Sequence, residues 1–216
     1  MPAQPACGGE RLLKIYIDFD DCLCETGRAF TGIVSDMFGI SLPYEDMRFF
    51  NLQKSFRLTD EQFDRLMIRS HEPDILLSFE ETPGASETVR EWISRGWEVS
   101  VITGRPFSAY EPSRTWLDRH GLRKAPLYCL DKYGRENFLR GSGFSLKLED
   151  YYKMTFDAAV EDSSETFRFF AHLPKLQVMV FDRPWNREAE LPGENYSRCF
   201  SWENIREKIS RLAQDP

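Results

Sequence analysis

The chain has 216 residues, 41% of them apolar and 29% charged, with a formal net charge of −7. That is enough chain for one domain and a small second module. The acidic balance excludes a general nucleic-acid binder, and no apolar run approaches the roughly 20 residues of a membrane span. A small anionic substrate stays open, because it needs only a local positive site.

The N-terminus MPAQPACGGER lacks the charged and apolar regions of a signal peptide, so residues 1–10 are expected to form a mobile tail. The five cysteines fall in no disulfide framework, and free thiols in a reducing cytoplasm are expected. A zinc site on Cys22-x-Cys24 is disfavoured. There is no second cysteine pair, and His71, His120 and His172 stand apart.

The first strand is expected over 12–18 (LLKIYID). Residues 27–82 hold no good strand and read as a small helical insert, with stretches such as GRAFTGIVSDMFG and TDEQFDRLMIRSH. A helix over 83–96 opens with Pro83 and Gly84 and stops at Gly96. The second strand is WEVSVIT (97–103), followed by a helix to Gly121 and a third strand, APLYCLD (125–131). Helices are expected over 145–154 and 163–173, flanking a fourth strand, DAAVED (157–162). LQVMVFD (176–182) is the fifth strand, and a last helix covers 201–214. Short apolar runs alternating with helices give an α/β class with a buried, Rossmann-like parallel sheet.

Ligands of such sheets bind outside the carboxyl ends of the strands. The first strand ends in Asp18 and Asp20, the second in Thr103 and Gly104, and the fourth in Glu161 and Asp162. Asp18 and Asp20, two apart in extended chain, project to the same side and form with Asp162 a cluster that repels itself unless a cation intervenes. An all-oxygen donor set suits Mg²⁺. Thr103 offers a hydroxyl, Gly104 an unobstructed N–H, and Lys147 a positive point charge. Together these are parts for holding a phosphoryl group. Taken singly, Asp18 and Asp20 also read as a solvated acidic turn, Thr103 as a strand end, and Asp162 with Glu165 as a helix cap. Lys153 is the alternative to Lys147. The phenylalanines of the insert (30, 38, 49, 50, 56, 63) read as its core before they read as a base-stacking surface.

The set DFDDCLCET, VSVITGRP, Lys147 and AAVEDSSE, in that order at strand ends, resembles the haloacid dehalogenase superfamily of phosphohydrolases. The resemblance implies a strand order of 3-2-1-4-5, with a core of residues 11–26 and 83–216 and a cap of residues 27–82 inserted after the first strand. It implies that Asp18 is the nucleophile that forms an aspartyl-phosphate, and that Asp20 is the general acid and base. Thr103, Gly104 and Lys147 would bind phosphate. Asp18, the Asp20 carbonyl and Asp162 would hold Mg²⁺, with Glu161 behind them. The sequence departs from the family pattern at Asp21, where Gly is usual, and at Cys22, where Thr or Val is common. VMVFDRPWN (178–186) and the insert position resemble the 5′(3′)-deoxyribonucleotidase branch. That points to a nucleoside monophosphate as substrate and adds Arg183 and Trp185 as supporting or substrate-contacting residues; Arg105, in the loop after the second strand, reads either as a phosphate neighbour or as a surface arginine. A sugar-phosphate phosphatase and a non-catalytic phospholigand-binding protein are the alternatives. The expected protein is cytoplasmic, with a small phosphorylated metabolite as its partner and neither nucleic acid nor membrane; a homodimer stays open.

Overall fold

The computed structural model describes residues 11–134 and 145–214, so the expected tail over 1–10 lies outside the described residues. Seven parallel strands form one sheet: β1 (Lys14–Ile17), β2 (Glu98–Thr103), β3 (Leu127–Leu130), β4 (Ser145–Leu146), β5 (Ala158–Glu161), β6 (Gln177–Phe181) and β7 (Tyr196–Cys199). Their order is β4-β3-β2-β1-β5-β6-β7. The five expected strands occupy the centre in the expected order. The two edge strands are additions.

Alternation within the strands separates two cores. Ile15, Ile17, Val99, Val101, Met179 and Phe181 face one side, where Trp92, Trp116 and Trp202 are fully buried. These tryptophans come from α5 (Ala85–Ser94), α6 (Tyr110–Arg119) and α8 (Trp202–Leu212). Tyr16, Ile102, Val178 and Val180 face the other side, against Tyr151, Phe167, Phe169 and Phe170. The expected helix over 163–173 is a 3-10 helix, Ser164–Phe170. The expected helix over 145–154 is instead β4 followed by one short turn, α7 (Leu148–Tyr151).

Between β1 and β2 the chain leaves the sheet for α1 (Thr26–Phe38), α2 (Leu52–Phe56), α3 (Asp60–Ser70) and α4 (Pro73–Ser78). Asn51 caps α2, and Thr59 with Gln62 closes a capping box on α3. Phe30, Val34, Tyr44, Met47, Phe56, Leu58 and Leu66 give these helices a hydrophobic cluster of their own. No helix among the described residues is long and apolar enough to cross a membrane.

Candidate active site

The C-terminal ends of β1, β2, β3 and β5 converge on one cavity of about 400 Å³. Asp18, Asp20, Asp21, Gly104, Arg105, Tyr133, Asp162 and Trp185 line it from the sheet side; Phe30, Phe50, Asn51, Phe63, Ser70 and His71 line it from the inserted helices.

Asp18 follows β1 directly and is almost fully buried. Lys132 Nζ donates to its Oδ1 at 2.5 Å and to Glu161 Oε2 at 3.1 Å. Glu161 is itself fixed by the Tyr16 hydroxyl at 3.0 Å and by the N–H groups of Asp162 and Ser163. Lys132 is therefore locked between two buried carboxylates. Burial disfavours the Asp18 anion, and Glu161 and Asp20 add repulsion. These outweigh the Lys132 ammonium and push Asp18 up to about 8.

Lys147 is not at the site. Its side chain is 70% exposed and its ammonium lies 3.9 Å from Glu149. The reason is topological: Lys147 follows β4, at the sheet edge, three strands from β1. Lys153 pairs with Asp150 on the surface. Sequence reasoning missed Lys132, although a signal existed. It stands two residues beyond the β3 end, in CLDK, on the same rim as the aspartates.

Asp20 turns toward β2. Arg105 Nη2 donates to its Oδ1 at 2.6 Å and Arg105 Nε to its Oδ2 at 3.0 Å; the Thr26 hydroxyl adds a bond of 2.6 Å. Burial raises its pKa, but Arg105 and Thr26 prevail and hold it below the usual carboxylate value. Arg105 is buried, lies over the Phe19 ring at 4.0 Å and donates to Ser113 Oγ at 2.8 Å. It supports the Asp20 carboxylate. Thr103 is fully buried, and its Oγ1 accepts the Arg105 N–H at 3.1 Å. Gly104 carries the backbone past Tyr133 so closely that a Cβ would lie 2.8 Å from the ring.

Asp21 explains the family's glycine. Its φ is +56°, the left-handed region that favours glycine. Its buried carboxylate accepts the Gly27 N–H at 2.8 Å, serving the first turn of α1, which has no side-chain cap from Glu25. Burial lifts Asp21 to about 7 despite Arg183. Arg183 turns away from the crevice: its Nε donates to the Asp21 carbonyl at 2.8 Å and its Nη2 lies 3.5 Å from Glu25 Oε1.

Asp162 follows β5 and is buried. It forms no cap with Glu165; its Oδ2 accepts the Trp185 indole N–H at 2.9 Å. Burial, then Glu161, Asp21 and Asp18, push its pKa well up.

Atoms of Asp18, Cys22 and Asp162 lie within 4.8 Å of one another. Burial and the neighbouring charges of Asp162 and Asp18 hold Cys22 as a neutral thiol, so the anionic donors are oxygens. Burial and mutual repulsion hold Asp18, Asp21 and Asp162 above the ordinary carboxylate range, a crowding that one divalent, oxygen-preferring cation relieves. The residues therefore fit Mg²⁺.

Residues 11–137 match the family model described as 5′ nucleotidase, deoxy (pyrimidine), cytosolic type C. The chain belongs to this 5′-nucleotidase family. It is thus a phosphatase of the haloacid dehalogenase superfamily, and the 5′-nucleotidase assignment makes a phosphorylated small molecule its substrate. A relative named "Putative nucleotidase BH1399", from Halalkalibacterium halodurans, is 23% identical over 174 residues, covering 81% of this chain and 82% of its own. Among solved structures, a HAD-superfamily hydrolase of subfamily IA from Geobacter sulfurreducens aligns with a TM-score of 0.55 at 16% identity, covering 94% of this chain and 98% of its own. A HAD family hydrolase from Deinococcus radiodurans, with bound phosphate and sodium, aligns with a TM-score of 0.57 at 12% identity, covering 94% and 97%. These two share the fold with the 5′-nucleotidase chain.

Proposed function

We propose that the protein is a Mg²⁺-dependent, cytoplasmic nucleoside-monophosphate phosphatase that works through an aspartyl-phosphate on Asp18. The observation that carries this reading is the two-sided cavity. An acidic, lysine-braced floor meets a wall of inserted helices, with Phe50 and Tyr133 facing each other at 5.8 Å between ring centroids. Its volume of about 400 Å³ far exceeds the needs of inorganic phosphate and falls among small-ligand sites, roughly 300–1,000 Å³.

Residues 27–82 act as a cap that excludes bulk water from the reaction and contacts the leaving group. Mg²⁺, held by Asp18, Asp162 and the Asp20 carbonyl, would offset the charge of the phosphoryl oxygens. An Asp18 carboxylate oxygen attacks phosphorus, and the phosphorus–oxygen ester bond breaks. Asp20, turned out of its Arg105 and Thr26 grip and carrying a proton, protonates the leaving nucleoside oxygen. Its anion then takes a proton from water, whose oxygen attacks phosphorus, releasing phosphate and regenerating Asp18. Lys132 holds Asp18 and balances phosphate charge, the role expected of Lys147. Gly104 and Thr103 supply small donors beside the phosphate. The four cysteines of the described residues are buried free thiols, which suits a reducing compartment.

The test compares kcat/KM for dUMP, dTMP and AMP with glucose 6-phosphate and phosphoglycolate, all with Mg²⁺. Stacking of a base on an aromatic ring is worth about 1–3 kcal/mol, a preference of roughly ten- to hundredfold. Asp18→Asn should abolish turnover on every ester. If sugar or carboxylate esters are hydrolysed as well as nucleotides, the nucleotidase reading fails and a small-metabolite phosphatase replaces it.

A further inference from the structure

The loop after β6, Asp182–Asn186, is built around Asp162. Asn186 is completely buried, and its Nδ2 donates to the carbonyls of Asp162 and Phe181, each at 2.7 Å. Its Oδ1 accepts from the Arg183 N–H at 3.2 Å and from Arg198 Nη1 at 2.8 Å. Every hydrogen-bonding direction of this amide is used, so the loop is pinned to the ends of β5, β6 and β7. Pinning fixes where Trp185 stands. Its indole N–H meets Asp162 Oδ2 at 2.9 Å. Its far edge lies on the first turn of α1, where a Cβ on Gly27 would come within 2.7 Å of the ring. The Tyr44 ring meets it edge-on at 6.0 Å.

We propose that Trp185 is a positioning residue for the metal site: by occupying one carboxylate oxygen of Asp162, it presents the other, in a fixed orientation, to the divalent cation. The inference rests on the reading of Asp162 as a metal ligand. A neutral donor suits this task. It restrains the carboxylate without cancelling the charge that the cation needs, as an arginine would. Hydrogen bonds to metal-binding carboxylates typically set affinity by about 10- to 100-fold. The indole also meets α1, so the same side chain ties the orientation of the ligand to the start of the inserted helices.

The experiment measures Mn²⁺ and Mg²⁺ binding to substrate-free protein, by isothermal titration and by the electron paramagnetic resonance signal of free Mn²⁺. Trp185→Phe loses the N–H, together with the far ring edge that lies on Gly27. Its dissociation constant should rise about 10- to 100-fold, with melting temperature recorded alongside. If Trp185→Phe melts early, incorporation of 3-benzothienylalanine at 185, a sulfur isostere without the N–H, carries the test at unchanged shape. A dissociation constant within twofold of wild type in the well-folded variant overturns the proposal. So does a variant that raises only KM for substrate, which makes Trp185 a substrate platform. Asp162→Asn separates the two levels. If it binds metal as the wild type does, or if the wild type takes up no Mn²⁺, the metal-site reading itself falls and this one with it.

Discussion

Replacing Lys132 by Met removes an ammonium that is 2% exposed and bonded to Asp18 at 2.5 Å and Glu161 at 3.1 Å. Methionine fills similar space, so what is lost is charge rather than volume. Deleting one partner of a buried ion pair typically costs about 3–5 kcal/mol, because the other charge stays buried without compensation. In a domain of this size each kcal/mol lowers the melting temperature by about 2–4 °C, so a fall of roughly 6–20 °C is expected. The fall should be largest above pH 8. Without the lysine, Asp18 binds a proton still more readily in the folded than in the unfolded chain, and this relief vanishes as pH rises. Turnover should drop by about 10²–10³ or more, the cost of losing a donor aimed at developing charge. Lys147→Met, whose ammonium is exposed and lies near the exposed Glu149, should change neither quantity. Thermal melts at pH 5 and pH 8.5, with phosphate-release assays on both variants, decide it. A Lys132→Met protein that melts within about 2 °C of wild type at pH 8.5, or a Lys147→Met protein that loses turnover equally, would refute the assignment of the site lysine.

In metal-free wild-type protein, Asp18 is raised to about 8 and Asp21 to about 7, chiefly by burial. A carboxyl with a raised folded pKa stabilises below its unfolded value and loses that contribution as pH climbs to the folded one, so the melting temperature should fall between about pH 4 and pH 8. Mg²⁺ should restore it most at the alkaline end, and titration in buffers of different ionisation enthalpy should detect protons released on binding at pH 7; a metal-free melting curve flat across that range would contradict the crowding of carboxylates. Asp21→Asn keeps an acceptor for the Gly27 N–H and tolerates a positive φ, but removes one buried charge. It should stabilise the metal-free protein more at pH 8 than at pH 5, by at least the ~3 °C that about 1 kcal/mol gives here, read by scanning calorimetry.

What the sequence displayed follows from where the physics is local. Buried central strands must be continuous apolar runs, so all five were visible, and their ends carried Asp18, Gly104 and Asp162 to the cavity, with Thr103 buried just behind Gly104. β4 and β7 lie at the edges. The first is two residues long and the second, Tyr196–Cys199, is mostly half-exposed, so neither has an apolar run to see. Overlooking β4 made 145–154 read as a helix leading into the site, which is why Lys147 was favoured over the surface position it has. Lys132 was hidden for the opposite reason: a lysine just past a strand reads as loop, and only a register of strand ends that includes β3 exposes it. The insert was legible as helical from its spacing, but which phenylalanines form its core was not. Phe56 is buried, Phe50 lines the cavity, and Phe49 is 53% exposed, although the last two are neighbours in sequence.

Asp18, Asp20, Asp21 and Asp162 are chemically identical, so their different tasks must come from their neighbours. Asp18 is buried beside one lysine, which does not offset the burial, so its pKa stays high. Asp20 has an arginine and a hydroxyl, which hold its pKa low, and the proposed acid–base role requires it to leave them. Asp21 serves a helix terminus and closes the left-handed turn that brings α1 back over the site. Asp162 has an indole, a donor without charge; burial and neighbouring carboxylates push its pKa well up, and among the described residues no cation pairs with it. Three of these five partners come from other strand ends, far along the chain from the first three aspartates: Lys132 from the end of β3, Arg105 from the end of β2, and Trp185 from the loop after β6. The acidic motif brings carboxylates together, and the sheet order, by placing β3, β2 and β6 on either side of β1 and β5, gives each a separate chemistry.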